Sequence, residues 1–405
     1  MGLVHRGWSL NSDRCPPLAR ITRHAGYQTH LFGFQHEHYD PSRLGYEHVH
    51  EAGGMNVEQV VPQFTAWLHS DEAISKPFLV SIGFFDVHRL GQGRTSHFKR
   101  DAYKSADPTQ VQVPPWLPDI PVVREELADF YGDITHMDRW IGEVVCALDE
   151  TGLAENTLLI FTSDHGASFL HGKATLYDGG TKVPWLMRWP RAIRAGTRVE
   201  SLTSHVDILP TILDLLGMPV PEHIQGQSVA VLARGQQGEA RQYVYAEKNY
   251  TNYYDPSRMI RSDAFKYIRK GLRTCIFDFL IPEIERTRAN FRTPQVFNHY
   301  SARRCTEELY DLRKDPGELD NVVDDPGYQA KLDEIRAAMD AHLEATEDPF
   351  QRLKNDLLMP EDDYEPAMKA MLQRFMRGRS PEEVRRMMEQ REGTQDAEAN
   401  KVNRS

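Results

Sequence analysis

An apolar run that ends abruptly in polar and small residues constrains the fold of this chain more than any other stretch. The run covers residues 158–162, and Ser163, Asp164, His165 and Gly166 follow it directly. A short apolar run bounded by turn residues is typical of a buried strand in a parallel sheet. Because binding sites of open α/β sheets lie at the carboxyl ends of the strands, Asp164 and His165 are predicted to lie in a functional site.

Helical periodicity alternates with strand-like runs in the first half of the chain. Apolar residues at three- and four-residue steps predict helices over residues 58–68 and 124–150. Each helix leads into an apolar strand, over residues 78–85 and 157–162 respectively. Helices that alternate with buried strands are the pattern of α/β proteins with a mostly parallel sheet. We therefore predict an α/β sandwich with a mostly parallel central sheet flanked by helices.

Proline and glycine mark the limits of further elements. A helix is predicted over residues 18–26, with Pro17 near its first turn and Gly26 as its stop. The proline-rich stretch 107–121 is predicted to be a surface loop near the rim of a pocket, because too many backbone amides are missing for a regular strand. Residues 207–216 form an apolar helix that we expect Pro210 to break.

The pattern changes after about residue 235. Short alternating runs predict a small antiparallel sheet, followed by a helix over residues 329–345. The predicted strands cover residues 243–246, 259–261, 265–268 and 308–311. We thus divide the chain into an α/β domain (1–235), a C-terminal subdomain (236–350) and a helical or disordered tail (351–405).

Composition and charge limit the classes of partner. The chain has 405 residues and a formal net charge of -11, which argues against nonspecific binding to nucleic acid or anionic membranes. No run of 18 apolar residues predicts a transmembrane helix, and the first ten residues lack the apolar core of a signal peptide. The default expectation is a cytoplasmic protein. Of the four cysteines, Cys275 and Cys305 could pair in an oxidising compartment or remain free thiols.

Several blocks together resemble the sulfatases of the alkaline-phosphatase-like superfamily, in particular arylsulfatases and heparan N-sulfatase-type enzymes. The segment from Ser163 to Gly166 is followed by Gly172-Lys173 and by Tyr177-Asp178-Gly179-Gly180-Thr181, as in that family. Further blocks agree in the same order along the chain, at residues 25–36, 77–88, 207–213 and 308–318. The resemblance implies an alkaline-phosphatase-like fold and the hydrolysis of sulfate esters.

The resemblance also implies roles for individual residues. Asp164 and His165 match the family's metal pair, which implies a divalent cation, calcium above all. Lys173 matches the lysine that contacts the sulfate and the formylglycine nucleophile. His88 matches the histidine that binds sulfate or protonates the leaving oxygen, and Asp86 is predicted to orient it. His36 matches the histidine of the family's Gly-Lys-x-His block.

This sequence departs from the family pattern in three places. Phe34 stands where the Gly-Lys-x-His block has its lysine, and the paired aspartates that open the family domain are missing. The Cys-x-Pro-x-Arg block, whose cysteine becomes formylglycine, is missing as well. The nearest match begins at Cys15, where Ala19 occupies the arginine position. We interpret Cys15 as an incidental cysteine at the start of a helix, and we expect a chain truncated at its N-terminus, with weak or no turnover by itself.

The sequence thus favours a sulfatase-like hydrolase acting on sulfate esters or N-sulfates of sugars or aryl groups, with a sulfated small molecule or glycan as its ligand. A protein that binds sulfated glycans without turnover is one alternative. A metal-dependent phosphoesterase of the same superfamily is another, because Ser-Asp-His-Gly occurs there too.

Overall fold

A computed structural model of the chain describes residues 15–38, 40–50, 54–73, 75–90, 97–98, 101–238, 241–250, 254–271 and 305–351. Seven α-helices and nine strands lie within these residues. The helices are α1 Leu18–His24, α2 Val57–Leu68, α3 Pro121–Glu150, α4 Asp178–Thr181, α5 Ile208–Leu215, α6 Ala230–Ala233 and α7 Gln329–Ala345. The strands are β1 Gln28–Gly33, β2 His48–His50, β3 Phe78–Gly83, β4 Leu159–Thr162, β5 Trp185–Arg188, β6 Val244–Tyr250, β7 Tyr254–Arg261, β8 Phe265–Lys270 and β9 Glu307–Asp311. The predicted tail beyond residue 351 lies outside the described residues, and so does Cys275, so whether it pairs with Cys305 or stays a free thiol remains open.

The first sheet is parallel, as predicted. Strand β1 lies between β2 and β3 and runs parallel to both. Its register with β3 pairs Gln28 with Phe78 and ends at Gly33 opposite Gly83. Because the strands run in the same direction, the loops after β1 and β3 leave the sheet side by side. These loops carry His36 and His88.

Strand β4 has a different partner from the one its sequence suggests. It pairs antiparallel with β5, in a register that places Leu159 opposite Arg188 and Thr162 opposite Trp185. Its four side chains are half-buried, whereas an apolar run of this kind predicts full burial. Leu159 and Phe161 supply the inward face, because side chains of a strand alternate between its two sides.

Helices α2 and α3 build the main apolar core. Val60, Phe64 and Leu68 of α2 recur at helical spacing and are buried against Val144 and Leu148 of α3. Inward residues of β1, β3 and β4 pack on the same cluster. The helix predicted over residues 124–150 begins three residues earlier, at Pro121, since a proline is tolerated in the first turn of a helix.

Two predictions about proline-containing segments need correction. The 107–121 stretch is irregular, as predicted, but it is not only a surface loop: Val111 and Leu117 are buried in a second cluster with Phe98 and Leu127. Pro210 does not break α5. It lies in the first turn of the helix, where a backbone amide has no acceptor to lose.

The C-terminal antiparallel sheet is confirmed and is larger than predicted. Strands β6, β7, β8 and β9 pair in sequence order, each antiparallel to the next. Helix α7 covers residues 329–345 as predicted and buries Leu332, Ile335, Met339 and Leu343 at steps of three or four residues. The domain boundary at residue 235 remains a prediction. Within the described residues, every helix is too short or too polar to cross a lipid bilayer.

Candidate active site

The turn that carries His88 holds a strained backbone. Val87 directly before it has a φ of 59°, a left-handed conformation that β-branched residues seldom adopt. The buried carboxylate of Asp133 accepts a hydrogen bond from the Val87 amide at 3.0 Å and so helps to hold this conformation. Strain of this kind clusters at functional sites. The turn therefore marks His88 independently of sequence resemblance.

His88 and Lys173 lie in direct contact. The Nζ of Lys173 is 2.8 Å from Nε2 of His88, although 85 residues separate them in sequence. The other ring nitrogen, Nδ1, lies 2.7 Å from the carbonyl oxygen of Arg89. A carbonyl can only accept, so Nδ1 carries the proton and Nε2 accepts from the Lys173 ammonium. Lys173 and His88, both predicted to contact the substrate, thus form one positively charged unit.

The loop that carries Lys173 also contains left-handed residues on both sides of it. His171 has a φ of 63° and Ala174 a φ of 65°. The Lys173 amide donates to the Ala167 carbonyl at 2.8 Å, which closes the loop. Lys248 of β6 donates from Nζ to the Ala174 carbonyl at 2.9 Å. The C-terminal sheet thus supports the backbone next to the candidate catalytic lysine.

Asp164 and His165 follow β4, at the carboxyl end of the strand as predicted. His165 donates from Nδ1 to the Gly166 carbonyl at 2.9 Å, which leaves Nε2 facing Oδ2 of Asp164 at 3.3 Å. Two ligands about 2.1 to 2.4 Å from one ion and at right angles to each other are roughly 3.0 to 3.4 Å apart, so this spacing suits a shared cation. The Asp164 side chain is 81% exposed and therefore accessible.

Other groups of residues in the described structure could also hold a metal ion. Among the described residues, two clusters bring three or more ligand atoms together, and Asp164 and His165 belong to neither. One of these clusters contains Asp86, with Glu58 and His136. The pair after β4 therefore offers two ligands to a divalent ion.

His205 is a neighbour of this pair that the sequence analysis did not place in the site. Its Nε2 is 2.9 Å from Oγ1 of Thr162, the last residue of β4. Burial lowers the pKa of His205, and the Asp164 carboxylate opposes that shift. The only indication in the sequence was the Ser-His-Val-Asp segment before a helix. That segment is equally typical of an ordinary helix N-terminal cap.

His36 is linked to His88 through aromatic rings. The His36 ring contacts Phe34 edge-on at 4.3 Å between centroids, and Phe34 contacts Phe85 at 5.5 Å. Phe85 in turn stacks on His88 at 4.2 Å. Phe34, which occupies the position of the family lysine, therefore fills space between the two histidine loops without supplying a charge.

Asp86 is placed at a helix end. Its Oδ2 accepts from the amide of Val57, the first residue of α2, at 2.7 Å. A carboxylate at a helix N-terminus satisfies a free amide and interacts favourably with the helix dipole. This contact anchors the segment that precedes His88, while the predicted role of Asp86 in orienting His88 stays a prediction.

Residues just after the Lys173 loop are fixed by buried charges. Asp178 begins α4 and contacts Lys266 at 2.5 Å and Arg261 at 3.2 Å. Burial acts to raise the pKa of Asp178, but Lys266 and Arg261 outweigh it and hold the pKa below its ordinary value. Glu318 accepts from the Asp178 amide, and burial raises the pKa of that glutamate. The segment after Lys173 is thus attached to the C-terminal sheet.

The sequence matches family models of known enzymes. Residues 3–218, more than half of the chain, match the sulfatase family model, and residues 165–279 match the model described as the C-terminal part of N-sulphoglucosamine sulphohydrolase. The chain therefore belongs to the sulfatase family.

Two relatives show how far the similarity extends. An ulvan-active sulfatase of Formosa agariphila is 33% identical over 276 residues, which cover 65% of this chain and 46% of that protein. N-sulphoglucosamine sulphohydrolase of Homo sapiens is 27% identical over 395 residues, which cover 86% of this chain and 77% of that protein. The chain thus spans less than half the length of the first relative.

A solved structure supports the fold. The phosphonate monoester hydrolase of Silicibacter pomeroyi superposes with a TM-score of 0.61 at 18% identity, over 84% of this chain and 82% of that one. The predicted alkaline-phosphatase-like α/β fold is confirmed.

Proposed function

We propose that this chain binds the sulfate group of a sulfated sugar at Lys173 and His88 and takes part in the hydrolysis of that group. The observation that carries the proposal is the 2.8 Å contact between Lys173 Nζ and His88 Nε2 on two strained turns. The Lys173 ammonium has N–H donors besides the one to His88, and the imidazole adds a donor for an anion once Nε2 is protonated. The names of the relatives, an ulvan-active sulfatase and an N-sulphoglucosamine sulphohydrolase, support a sugar as the carrier of the sulfate.

The two side chains have separate tasks in such a reaction. The Lys173 ammonium stabilises the negative charge that grows on sulfate oxygens as the S–O or S–N bond breaks. The Arg89 carbonyl fixes the proton of His88 on Nδ1, so Nε2 is the atom that faces the substrate. Once protonated, Nε2 donates to the leaving oxygen or nitrogen as a general acid.

Asp164 and His165 are the proposed ligands of a divalent ion. Their facing Oδ2 and Nε2 atoms provide one carboxylate and one imidazole donor, a set that fits a divalent metal. A bound ion would supply positive charge to polarise the sulfate group. Calcium is the ion implied by family resemblance, and its identity here is part of the proposal.

The nucleophile is not assigned to a residue of this chain. The 405 residues contain no Cys-x-Pro-x-Arg motif, and Cys15 is followed by two prolines and lacks the arginine. The sequence around Cys15 therefore does not fit conversion to formylglycine, and we derive no step through that group.

Binding of N-sulfoglucosamine, measured by calorimetry in the presence of calcium, tests the proposal. We expect the sulfated sugar to bind and unsulfated glucosamine to bind at least tenfold more weakly, a difference of about 1.4 kcal/mol or more. Lys173→Met should remove most of this preference, because it deletes the ammonium without shortening the side chain. Lys76→Met, at an exposed turn, is the matched control and should leave binding unchanged.

Equal binding of both sugars, or full binding by Lys173→Met, would overturn the proposal. Glucosamine 6-phosphate compared with glucosamine 6-sulfate addresses the phosphoesterase alternative, since preference for the phosphate would favour that class. Release of inorganic sulfate separates turnover from binding alone.

A further inference from the structure

Three histidines with no role in the candidate active site share one face of the parallel sheet. His48 and His50 are two residues apart in β2, so their side chains point to the same side of the strand. The register places His30 of β1 directly opposite His48. The ring centroid of His30 lies 4.5 Å from that of His48 and 5.3 Å from that of His50. His30 thus lies against both other imidazoles, whose own ring centroids are 6.5 Å apart.

The ring of His30 is oriented by a neighbouring glutamine. Gln28 donates from Nε2 to the carbonyl groups of Glu72, Ala73 and Lys76, which fixes the direction of its amide. Its Oε1 therefore accepts from Nε2 of His30, at 3.3 Å. The proton of a neutral His30 is then on Nε2, and the lone pair of Nδ1 points to Nε2 of His50, 3.0 Å away. Metal-binding histidines are typically held by such a second hydrogen bond.

A carboxylate completes the group. Glu72 lies in the turn after α2, and its Oε1 is 3.9 Å from Nε2 of His48. One ligand atom each from His30, His48 and Glu72 lie within 4.8 Å of one another. Glu72 is half-exposed whereas His30 is fully buried, so an ion could enter from solvent and bind against the sheet.

We propose that His30, His48 and Glu72 form a zinc site, with His50 beside His30 as a fourth candidate ligand. Imidazole nitrogens with one carboxylate are a donor set that zinc favours and that calcium, which prefers six or more oxygens, does not. The ion would connect three segments of the chain: β1, β2 and the turn after α2. The site is separate from the proposed sulfate site and does not depend on it.

Zinc binding to the full chain, measured by competition with a chromophoric chelator in excess calcium, tests this proposal. We expect the double variant His48→Ala/His50→Ala to bind one fewer Zn²⁺ per chain than the wild type. Glu72→Gln should lower the affinity for that ion about tenfold. Cobalt should give visible absorption bands of a nitrogen-rich site in the wild type but not in the double variant. His69→Ala is the matched control, because His69 is an exposed histidine near the same helix end whose Nε2 lies 3.5 Å from Glu150.

Stability measurements keep the result interpretable. In EDTA the double variant should melt within a few degrees of the wild type, because His48 is largely exposed and His50 is only half-buried. Zinc should raise the melting temperature of the wild type, His69→Ala and Lys173→Met but not of the double variant, since an ion that binds only the folded state stabilises it. Retention of the same zinc stoichiometry by the double variant, or no zinc in the wild type, would overturn the proposal.

Discussion

The fold strongly controls the protonation of the His30 imidazole. Burial, together with the neighbouring His48 and His50, lowers the pKa of His30 from 6.5 to about 4. Trp67 covers the ring at 4.4 Å between centroids. His30 is therefore neutral at pH 7, the state in which Nδ1 keeps its lone pair.

This shift predicts an acid-sensitive stability. A depressed histidine pKa stabilises the fold above the unfolded-state value of 6.5, and the contribution is lost as the pH falls from 6.5 towards 4. We expect the free energy of unfolding in EDTA to fall over this window by up to about 3 kcal/mol on account of His30. His30→Gln should flatten this part of the profile in urea titrations, while His69→Ala should keep it. An unchanged slope in His30→Gln would contradict the assignment.

At the scale of elements, β6 supports the Lys173 loop from outside the first half of the chain. Lys248 contacts the Ala174 carbonyl and also forms an ion pair with Asp255, and both side chains are mostly buried. The left-handed backbone at Ala174 therefore has a specific partner. The position of Lys173 depends in part on a strand more than 70 residues later.

Lys248→Met should weaken both stability and ligand binding. Loss of the hydrogen bond and the ion pair is expected to lower the free energy of unfolding by about 1 to 3 kcal/mol. Binding of N-sulfoglucosamine should weaken by roughly three- to tenfold, because small displacements of a binding group reduce affinity. Lys331→Met, which breaks a surface pair with Glu334, is the control. Normal binding by Lys248→Met would show that the loop is held by its own contacts.

Over the whole described molecule, a buried charge cluster connects the segment after Lys173 to the C-terminal sheet. Lys266 is fully buried and lies 2.5 Å from Asp178 and 2.7 Å from Glu318. The cluster joins residues that are up to 140 positions apart. Removal of its only lysine would leave two carboxylates without that compensating charge.

Lys266→Met should therefore be strongly destabilising near neutral pH. Breaking a buried ion pair by removing one partner costs about 3 to 5 kcal/mol. Lys266 lowers the pKa of both buried carboxylates, Asp178 and Glu318, against the effect of burial, so both take up protons at higher pH once the lysine is gone. The deficit of the variant should shrink as the pH is lowered from 7 towards 4, as measured by urea unfolding. Lys314→Met, at a surface pair with Asp311, should show neither effect.

The sequence by itself determined the elements and the chemical types at the site. The periodicity of residues 329–345 and the apolar run before Asp164 predicted a helix and a strand, because local backbone preference and burial are encoded in neighbouring residues. Lys173, His88 and Asp164 were identified through their blocks. The buried part of the 107–121 loop was missed, because irregular segments lack a period from which burial can be read.

Tertiary structure alone decided which distant residues meet. The antiparallel pairing of β4 with β5 and the 2.8 Å contact of Lys173 with His88 are products of chain packing. The same holds for His30 opposite His48, whose sequence signal was only a His-x-His pair. Strand register and loop closure join residues across tens of positions, and the free energy that selects them comes from burial and paired charges that no local pattern contains.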